Sequence, residues 1–338
     1  MALSLLNPAP SRIALKAASP PLSSRSFLLS TPRLPALHLR SRPPGRVQSS
    51  SAAAPSAPTD GSPTPPSSRE EAVAQARSCL ATALRKPLNN SLPARKGKKQ
   101  QRQPRFRAEI PVVDDSPGSL ARLAFDVFSG LGVSRKGSPA RLLLVWPSAG
   151  DLAVAVREFE SWGDSSALAH AQLDSVAPDA LGACDAAVFI APGRPQVEKL
   201  RAAVNALDPK PAVLFNPGWS YEVEEEGFGG IAKGFVGSFN VVYSFMGLEV
   251  KGLLSKKKGV LLRCVEGGRF GGESWVLMME DEEKETELKV VSRMKRRPTT
   301  GEVENMMYNL MAANSPVTKS ARFLRELVSN VTGRKGKE

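Results

Sequence analysis

Not one aspartate or glutamate occurs in the first 59 residues of this 338-residue chain; Asp60 is the first acidic residue. That absence argues against an ordinary polar tail, which mixes both charge signs. The same stretch carries seven basic residues, twelve serines and ten prolines. An Arg-rich, Ser-rich and acid-poor leader has the composition of an organelle-targeting segment. A mitochondrial presequence forms an amphipathic helix, and prolines at 8, 10, 20, 21, 32, 35, 43 and 44 would interrupt one repeatedly. The expectation is therefore a disordered chloroplast transit peptide over residues 1–50, followed by a flexible Ser/Ala/Pro linker over 51–67.

Other scarcities exclude whole classes of chemistry. There are two histidines, and His38 lies in the leader, so His170 alone remains beyond it and no multi-histidine metal site can form. Cys79, Cys184 and Cys264 are too far apart in sequence for a metal knuckle or a redox pair, and their apolar surroundings predict buried free thiols. No run of 18 apolar residues exists, so no transmembrane helix is expected, although peripheral membrane contact stays open. The phosphate-cradling pattern G-x-x-x-x-G-K-[ST] is missing, as is G-x-G-x-x-G after a first strand. So is the G-x-S-x-G turn that exposes a nucleophilic serine. No catalytic residue, metal ligand or cofactor is assigned, and the reading leans towards a protein that is not an enzyme.

Charge needs dissection before it implies a partner. The chain carries net +13, of which the leader supplies +7, leaving +6. Nine basic residues and no acid lie in 85–107, whereas everything after Arg107 has 28 basic and 30 acidic residues. The globular part is nearly neutral, so the high pI does not point to nucleic acid. The strip 85–105 reads as a basic insertion loop. Arg95, Lys96, Lys98, Lys99, Arg102 and Arg105 are its candidates for meeting an anionic surface, with a merely solvated loop as the plainer alternative. Phe106 is its only nearby aromatic residue, so base stacking is not indicated. Glu222, Glu224, Glu225 and Glu226 read as a solvated acidic surface rather than a cation site.

Periodicity supplies the architecture. Ser68 with Glu71 makes a capping box ahead of a helix whose Val73, Ala76, Leu80 and Leu84 share one face. A strand is expected over 106–113, then a helix opened by Ser116 with Pro117 in the favoured first position. From there apolar strands (Leu142–Trp146, 167–173, 186–191 and Ala212–Phe215) alternate with amphipathic helices. Short runs apolar on both sides and separated by helices indicate a parallel sheet covered on both faces. Later segments at 239–245, 260–264, 275–279 and 288–293 are joined by short Gly-rich or charged turns, which suggests antiparallel pairing. Two helices follow, one capped by Thr299 and Glu302 and one beginning at Ser315–Pro316. The fold expected over 68–333 is one α/β domain, a Rossmann-like three-layer parallel sheet extended by a C-terminal antiparallel part, with a basic tail at 334–338.

Three of the parallel strands end alike, at Trp146–Pro147–Ser148, Ala191–Pro192–Gly193 and Asn216–Pro217–Gly218. Parallel strands place their carboxyl ends on one edge, where open α/β sheets bind ligands. Ser148, Gly193, Arg194, Asn216, Gly218 and Trp219 are therefore the candidate ligand-binding residues, provided these strands are neighbours. Prolines that merely terminate strands are the bland alternative.

The order of elements resembles one family. The Phe106–Arg107–Ala108–Glu109–Ile110–Pro111 strand, the Asn216–Pro217–Gly218 strand end, the strand of Ser238 to Tyr243, Gly259 to Arg263, the Trp275 strand and the Arg297–Pro298–Thr299 helix entry carry the likeness. The family is a plastid and cyanobacterial one known as domain of unknown function 1995, and the resemblance covers most of 68–313. It has no agreed catalytic residues to carry over. The resemblance implies an auxiliary role in assembly or maintenance of photosystem II, because relatives include a factor named for low photosystem II accumulation. Fusion of the same domain to a plastid adenylate kinase implies the alternative of a nucleotide or phosphorylated small-ligand domain, with catalysis left open. Implied partners are a chloroplast protein and, peripherally, the thylakoid surface; the implied location is the stroma or the thylakoid periphery.

Overall fold

A computed structural model describes residues 63–89, 103–163 except 113 and 115, 167–219, 223–224, 227, 233–251, 256–265, 274–281 and 288–313. The expected transit peptide, most of the linker, the Gly-rich turn at 267–272, the last helix and the basic tail lie outside the described residues, as do Arg95, Lys96, Lys98, Lys99 and Arg102.

The first helix, α1 (Arg69–Asn89), begins where the Ser68 hydroxyl accepts the Glu71 amide at 3.2 Å. Glu71 in turn accepts the Ser67 amide at 2.8 Å, so the capping box closes one residue earlier than the Ser68 pairing expected. Strand β1 (Arg105–Glu109) follows, then α2 (Pro117–Phe128), capped by Ser116 with Pro117 in its first turn. A small hairpin, β2 (Ser134–Arg135) and β3 (Ser138–Pro139), leads into β4 (Leu142–Trp146) and α3 (Ala149–Trp162). The alternation continues with β5 (Leu168–Gln172), α4 (Pro178–Ala183), β6 (Ala186–Ile190), α5 (Val197–Leu207) and β7 (Ala212–Phe215). A short α6 (Lys233–Val236) precedes β8 (Asn240–Lys251), β9 (Lys256–Cys264), β10 (Trp275–Glu280) and β11 (Leu288–Met294). Helix α7 (Thr300–Ala313) closes the described chain, and here the expected box forms: Thr299 Oγ1 accepts the Glu302 amide while Glu302 accepts the Thr299 amide.

Nine strands form one sheet in the order β11-β10-β9-β8-β1-β7-β6-β4-β5. From β8 to β5 every pairing is parallel, and β8-β9, β9-β10 and β10-β11 are antiparallel. The expected Rossmann-like parallel layer with an antiparallel extension is therefore the fold. The physical reason is visible in β4 and β6, whose five residues are all buried: such strands need cover on both faces.

Side-chain alternation sorts the core into faces. On the first face Leu144, Trp146, Val188, Ile190, Val213 and Phe215 pack under α1, α2 and α3, in a cluster that continues through Phe245, Leu262 and Met278. On the second face Leu143, Val145, Phe189 and Leu214 pack under α4, α5 and α6. A separate patch there, Leu248, Leu261, Trp275, Leu277 and Met279, packs under α7. Between those two patches the second face carries the ionisable side chains of Arg107 and Glu109.

The strand expected to reach residue 113 stops at Glu109, because Ile110 and the proline at 111 leave the sheet to lead the chain towards α2. Arg105, expected in the basic loop, is the first residue of β1. It is half-buried, with its guanidinium over the Phe235 ring and hydrogen-bonded to Gln103 Oε1 and Ser238 Oγ.

Candidate functional site

The three proline-terminated strands lie side by side as β7, β6 and β4, so their carboxyl ends share an edge. What the chain does there differs from what convergence alone suggested. Ser148 caps α3: its hydroxyl accepts the Asp151 amide at 3.2 Å and donates to Asp151 Oδ2 at 2.6 Å. The Gly193 amide donates to Gln196 Oε1 at 2.9 Å, and Gln196 Nε2 donates to the Pro147 carbonyl at 2.7 Å. Gln196 thus bridges the gap between β4 and β6. The chain leaves those strands for opposite faces, α3 on the first and α5 on the second, and such a gap is where open sheets hold ligands.

Asn216 sits at φ +44°, a left-handed conformation that asparagine tolerates better than most residues. Its amide pairs with one backbone unit, accepting from the Ile110 amide at 2.7 Å and donating to the Ile110 carbonyl at 2.8 Å. The side chain thereby prolongs the β7-to-β1 ladder beyond the last strand residue. The Gly218 amide donates to the Pro192 carbonyl at 3.0 Å, binding the β7 end to the β6 end. Arg194 is exposed at the start of its turn, and Trp219 Nε1 donates to Glu224 Oε2 at 3.3 Å.

A cavity of about 270 Å³ opens at this edge between the ends of β1 and β7. Ile110, Pro111, Leu120, Pro217, Phe245 and Met246 supply most of its wall, with Glu109 and Ser244 among its polar lining. Of the residues named from sequence, Asn216 and Gly218 line it; Ser148, Gly193, Arg194 and Trp219 do not. Its wall is mainly apolar.

A second cavity, of about 440 Å³, lies on the second face where the apolar cover is interrupted. Arg107, Arg263, Lys295 and Arg297 line it, together with Glu224 and Trp275. Arg107 points there from β1 because 105, 107 and 109 alternate with Phe106 and Ala108, which join the opposite apolar face. Its side chain is only 4% exposed and is held by Glu109 at 2.5 Å and Glu224 at 2.8 Å. Arg297 reaches the same two carboxylates at 3.6 and 3.8 Å. Arg263 donates from Nε to the Val241 carbonyl, and the guanidinium carbons of Arg263 and Arg297 lie 5.7 and 5.3 Å from the Trp275 ring centroid.

Electrostatics follow from this packing. Burial pushes the Glu109 carboxyl up, but the guanidinium groups of Arg107 and Arg297 and the Ser244 hydroxyl outweigh it, holding the group at about 2. Burial also works against the Arg107 charge, yet Glu109 and Glu224 more than compensate and raise its pKa. Glu109 lines the edge cavity and its partner Arg107 lines the second, so one ion pair forms the wall between them. Glu224, expected on a solvated surface, is instead a partner of Arg107 with a side chain 20% exposed. The tertiary position of Arg107 and Arg297 accounts for that difference, since a carboxylate is drawn towards buried guanidinium groups.

All three cysteines are buried thiols with no disulfide among them, and Cys79 and Cys264, read as too far apart in sequence for a redox pair, have their sulfurs 3.4 Å apart where α1 packs on β9. His170 accepts from Trp146 Nε1 at 3.0 Å, stacks beside that indole and is pushed down to about 4 by burial, so it is a neutral packing residue. Among the described residues no group of three or more His, Cys, Asp or Glu is arranged to hold a metal ion, and no helix is long and apolar enough to cross a membrane.

The sequence itself carries a signal for the second cavity. Arg107 and Glu109 alternate with apolar residues in a strand buried on both faces, and Arg263 interrupts the apolar run Val260, Leu261, Leu262. Ionisable residues in such strands are seldom left buried without partners.

Fold and site together define a Rossmann-like α/β domain with an apolar cavity at its carboxyl edge and a cationic one on its second face. The chain belongs to the family described as domain of unknown function (DUF1995), whose family model matches residues 66–305. The match runs from just before the α1 cap into α7 and spans both cavities. Against curated proteins the chain finds no match.

Proposed function

We propose that this chain is a chloroplast auxiliary protein that acts by holding another protein, in the assembly or maintenance of photosynthetic complexes. One observation carries the binding part of the reading. At the carboxyl edge Ser148, Gly193, Asn216 and Gly218 are engaged in capping a helix and tying strand ends together, while the cavity beside them is walled by Ile110, Pro111, Leu120 and Phe245. A mainly apolar recess whose Asn216, Glu109 and Ser244 side chains are already hydrogen-bonded suits an apolar side chain of a partner. The acid-free, serine- and proline-rich leader supports the plastid address. Membership of the family supports the domain but not the partner.

The test is capture from fractionated chloroplasts with the full chain and with Val112→Glu, which sets a charge in the recess wall. A stromal or thylakoid protein retained by the first and lost with the second is the expected result. Capture of the same proteins by both, or normal photosystem II levels in a plant lacking the protein, would sink the reading. A second reading, a domain for a nucleotide or phosphorylated small ligand, is favoured by the cationic cavity rather than by the edge.

A further inference from the structure

The second cavity combines features that a purely structural ion network does not need together. Among the described residues its charged lining is Arg107, Arg263, Lys295 and Arg297 with Glu224, and Glu109 lies behind Arg107. Burying charge is expensive, and buried networks normally approach neutrality for that reason. Here, among the described residues, four cationic side chains and one carboxylate surround open space of about 440 Å³, within the range of small-molecule sites.

The groups are also held ready. Arg107 is fixed by two carboxylates, and its Nε has no hydrogen-bond partner among the described residues. Arg263 and Arg297 lie against the buried Trp275 ring, which restricts their planar guanidinium groups. Lys295 is exposed and brings a mobile charge from the segment between β11 and α7. Planar guanidinium forks match phosphate oxygens two at a time, and a phosphate monoester near neutral pH carries close to two negative charges.

We propose that this cavity is a binding site for the phosphate group of a small phosphorylated molecule, held by Arg107, Arg263, Lys295 and Arg297. The inference rests on the second reading of function and moves its site from the carboxyl edge to the opposite side of the Arg107–Glu109 pair. No phosphate loop is required, because side-chain guanidinium groups replace the backbone amides such a loop supplies. The bound group sets negative charge among these four cations, so occupancy stabilises the antiparallel extension, whose residues supply Arg263 and Trp275, relative to the free protein.

Titration calorimetry and thermal unfolding of the full chain test this with inorganic phosphate and pyrophosphate, against chloride at equal ionic strength. Saturable binding is expected. Phosphate affinity should rise several-fold from about pH 5.5 to 7.5 as the second phosphate proton is lost, near pH 6. Sulfate affinity should change far less over the same interval. Lys295→Gln and Arg297→Gln should each weaken phosphate at least about tenfold, the former with little change in the unliganded melting temperature because Lys295 is exposed. Vesicles of phosphatidylcholine with phosphatidylglycerol distinguish the source of the group. Vesicle binding displaced by phosphate supports the site with a lipid headgroup as its ligand; phosphate binding without vesicle binding supports it with a soluble ester. Absence of phosphate and pyrophosphate binding, or equal affinity in Lys295→Gln, overturns the proposal. Partner capture at the edge recess is unaffected by either result, so the two readings fail separately.

Discussion

The two faces of this sheet are built to different rules. The first carries one apolar cluster beneath α1, α2 and α3, running from Leu142 in the parallel half to Met278 in the antiparallel half. The second is apolar at both ends and charged between them, where Arg107, Glu109, Arg263 and Glu224 meet. A continuous apolar face needs no partner beyond its helices. A charged gap between two apolar patches exists at a cost in desolvation, which the pairing of Arg107 with Glu109 and Glu224 offsets. The difference separates a face held by apolar contacts from one held in part by ion pairs.

Breaking the seam should have the largest effect. Arg107→Ala leaves Glu109 and Glu224 buried beside a lost countercharge, and urea unfolding should show a loss of about 3–5 kcal/mol. Replacing both carboxylates by glutamine in the same variant should restore much of that loss. If the single variant costs under about 1 kcal/mol, the seam is hydrated and the contrast between faces fails. On the apolar face the comparable change is Leu144→Ala, at a fully buried position, expected to cost about 2–4 kcal/mol through the cavity it leaves. That loss should not respond to salt or pH, whereas the Arg107→Ala loss should.

Acid sharpens the comparison further. Glu109 is held at about 2 in the folded chain against its ordinary 4.5, so its stabilisation is complete above about pH 4.5 and is lost as pH falls towards 2. His170 is held at about 4 against 6.5; the unfolded chain therefore takes up a proton first, and stability declines from pH 6.5 down to 4. Each slope is at most about 1.4 kcal/mol per pH unit. Melting temperatures across pH should show two separable windows, the lower flattened by Glu109→Gln and the upper by His170→Gln. Persistence of both slopes in the variants would contradict the assignment. The smallest effect concerns the edge: Asn216→Ala loses two hydrogen bonds to Ile110 and a residue suited to positive φ, for about 1–2 kcal/mol. Asn216→Gly should recover part of it, because glycine adopts that conformation without strain.

Much of the fold was legible because it is local. Continuous apolar runs such as Leu142–Trp146 and Ala212–Phe215 announce doubly covered strands, and Ser116–Pro117 or Thr299 with Glu302 announces a helix start. The hairpin β2–β3 and the six-residue α4 gave no usable pattern, since elements that short show neither period. At the candidate site the neighbourhood of β4, β6 and β7 was readable from their shared ending. That Gln196 would close the gap between β4 and β6 was not, because it depends on a side chain reaching across 49 residues of sequence.

From the amino-acid order alone follow the alternation of strands and helices and the caps that begin those helices, governed by interactions within a few residues. Strand order, the bridging of the carboxyl-edge gap, the 3.4 Å approach of Cys79 to Cys264 and the gathering of Arg107, Arg263 and Arg297 around one cavity were decided by tertiary structure. The reason is physical: buried charges and thiols acquire their environment from residues on other strands and helices, and no local pattern records which ones will arrive.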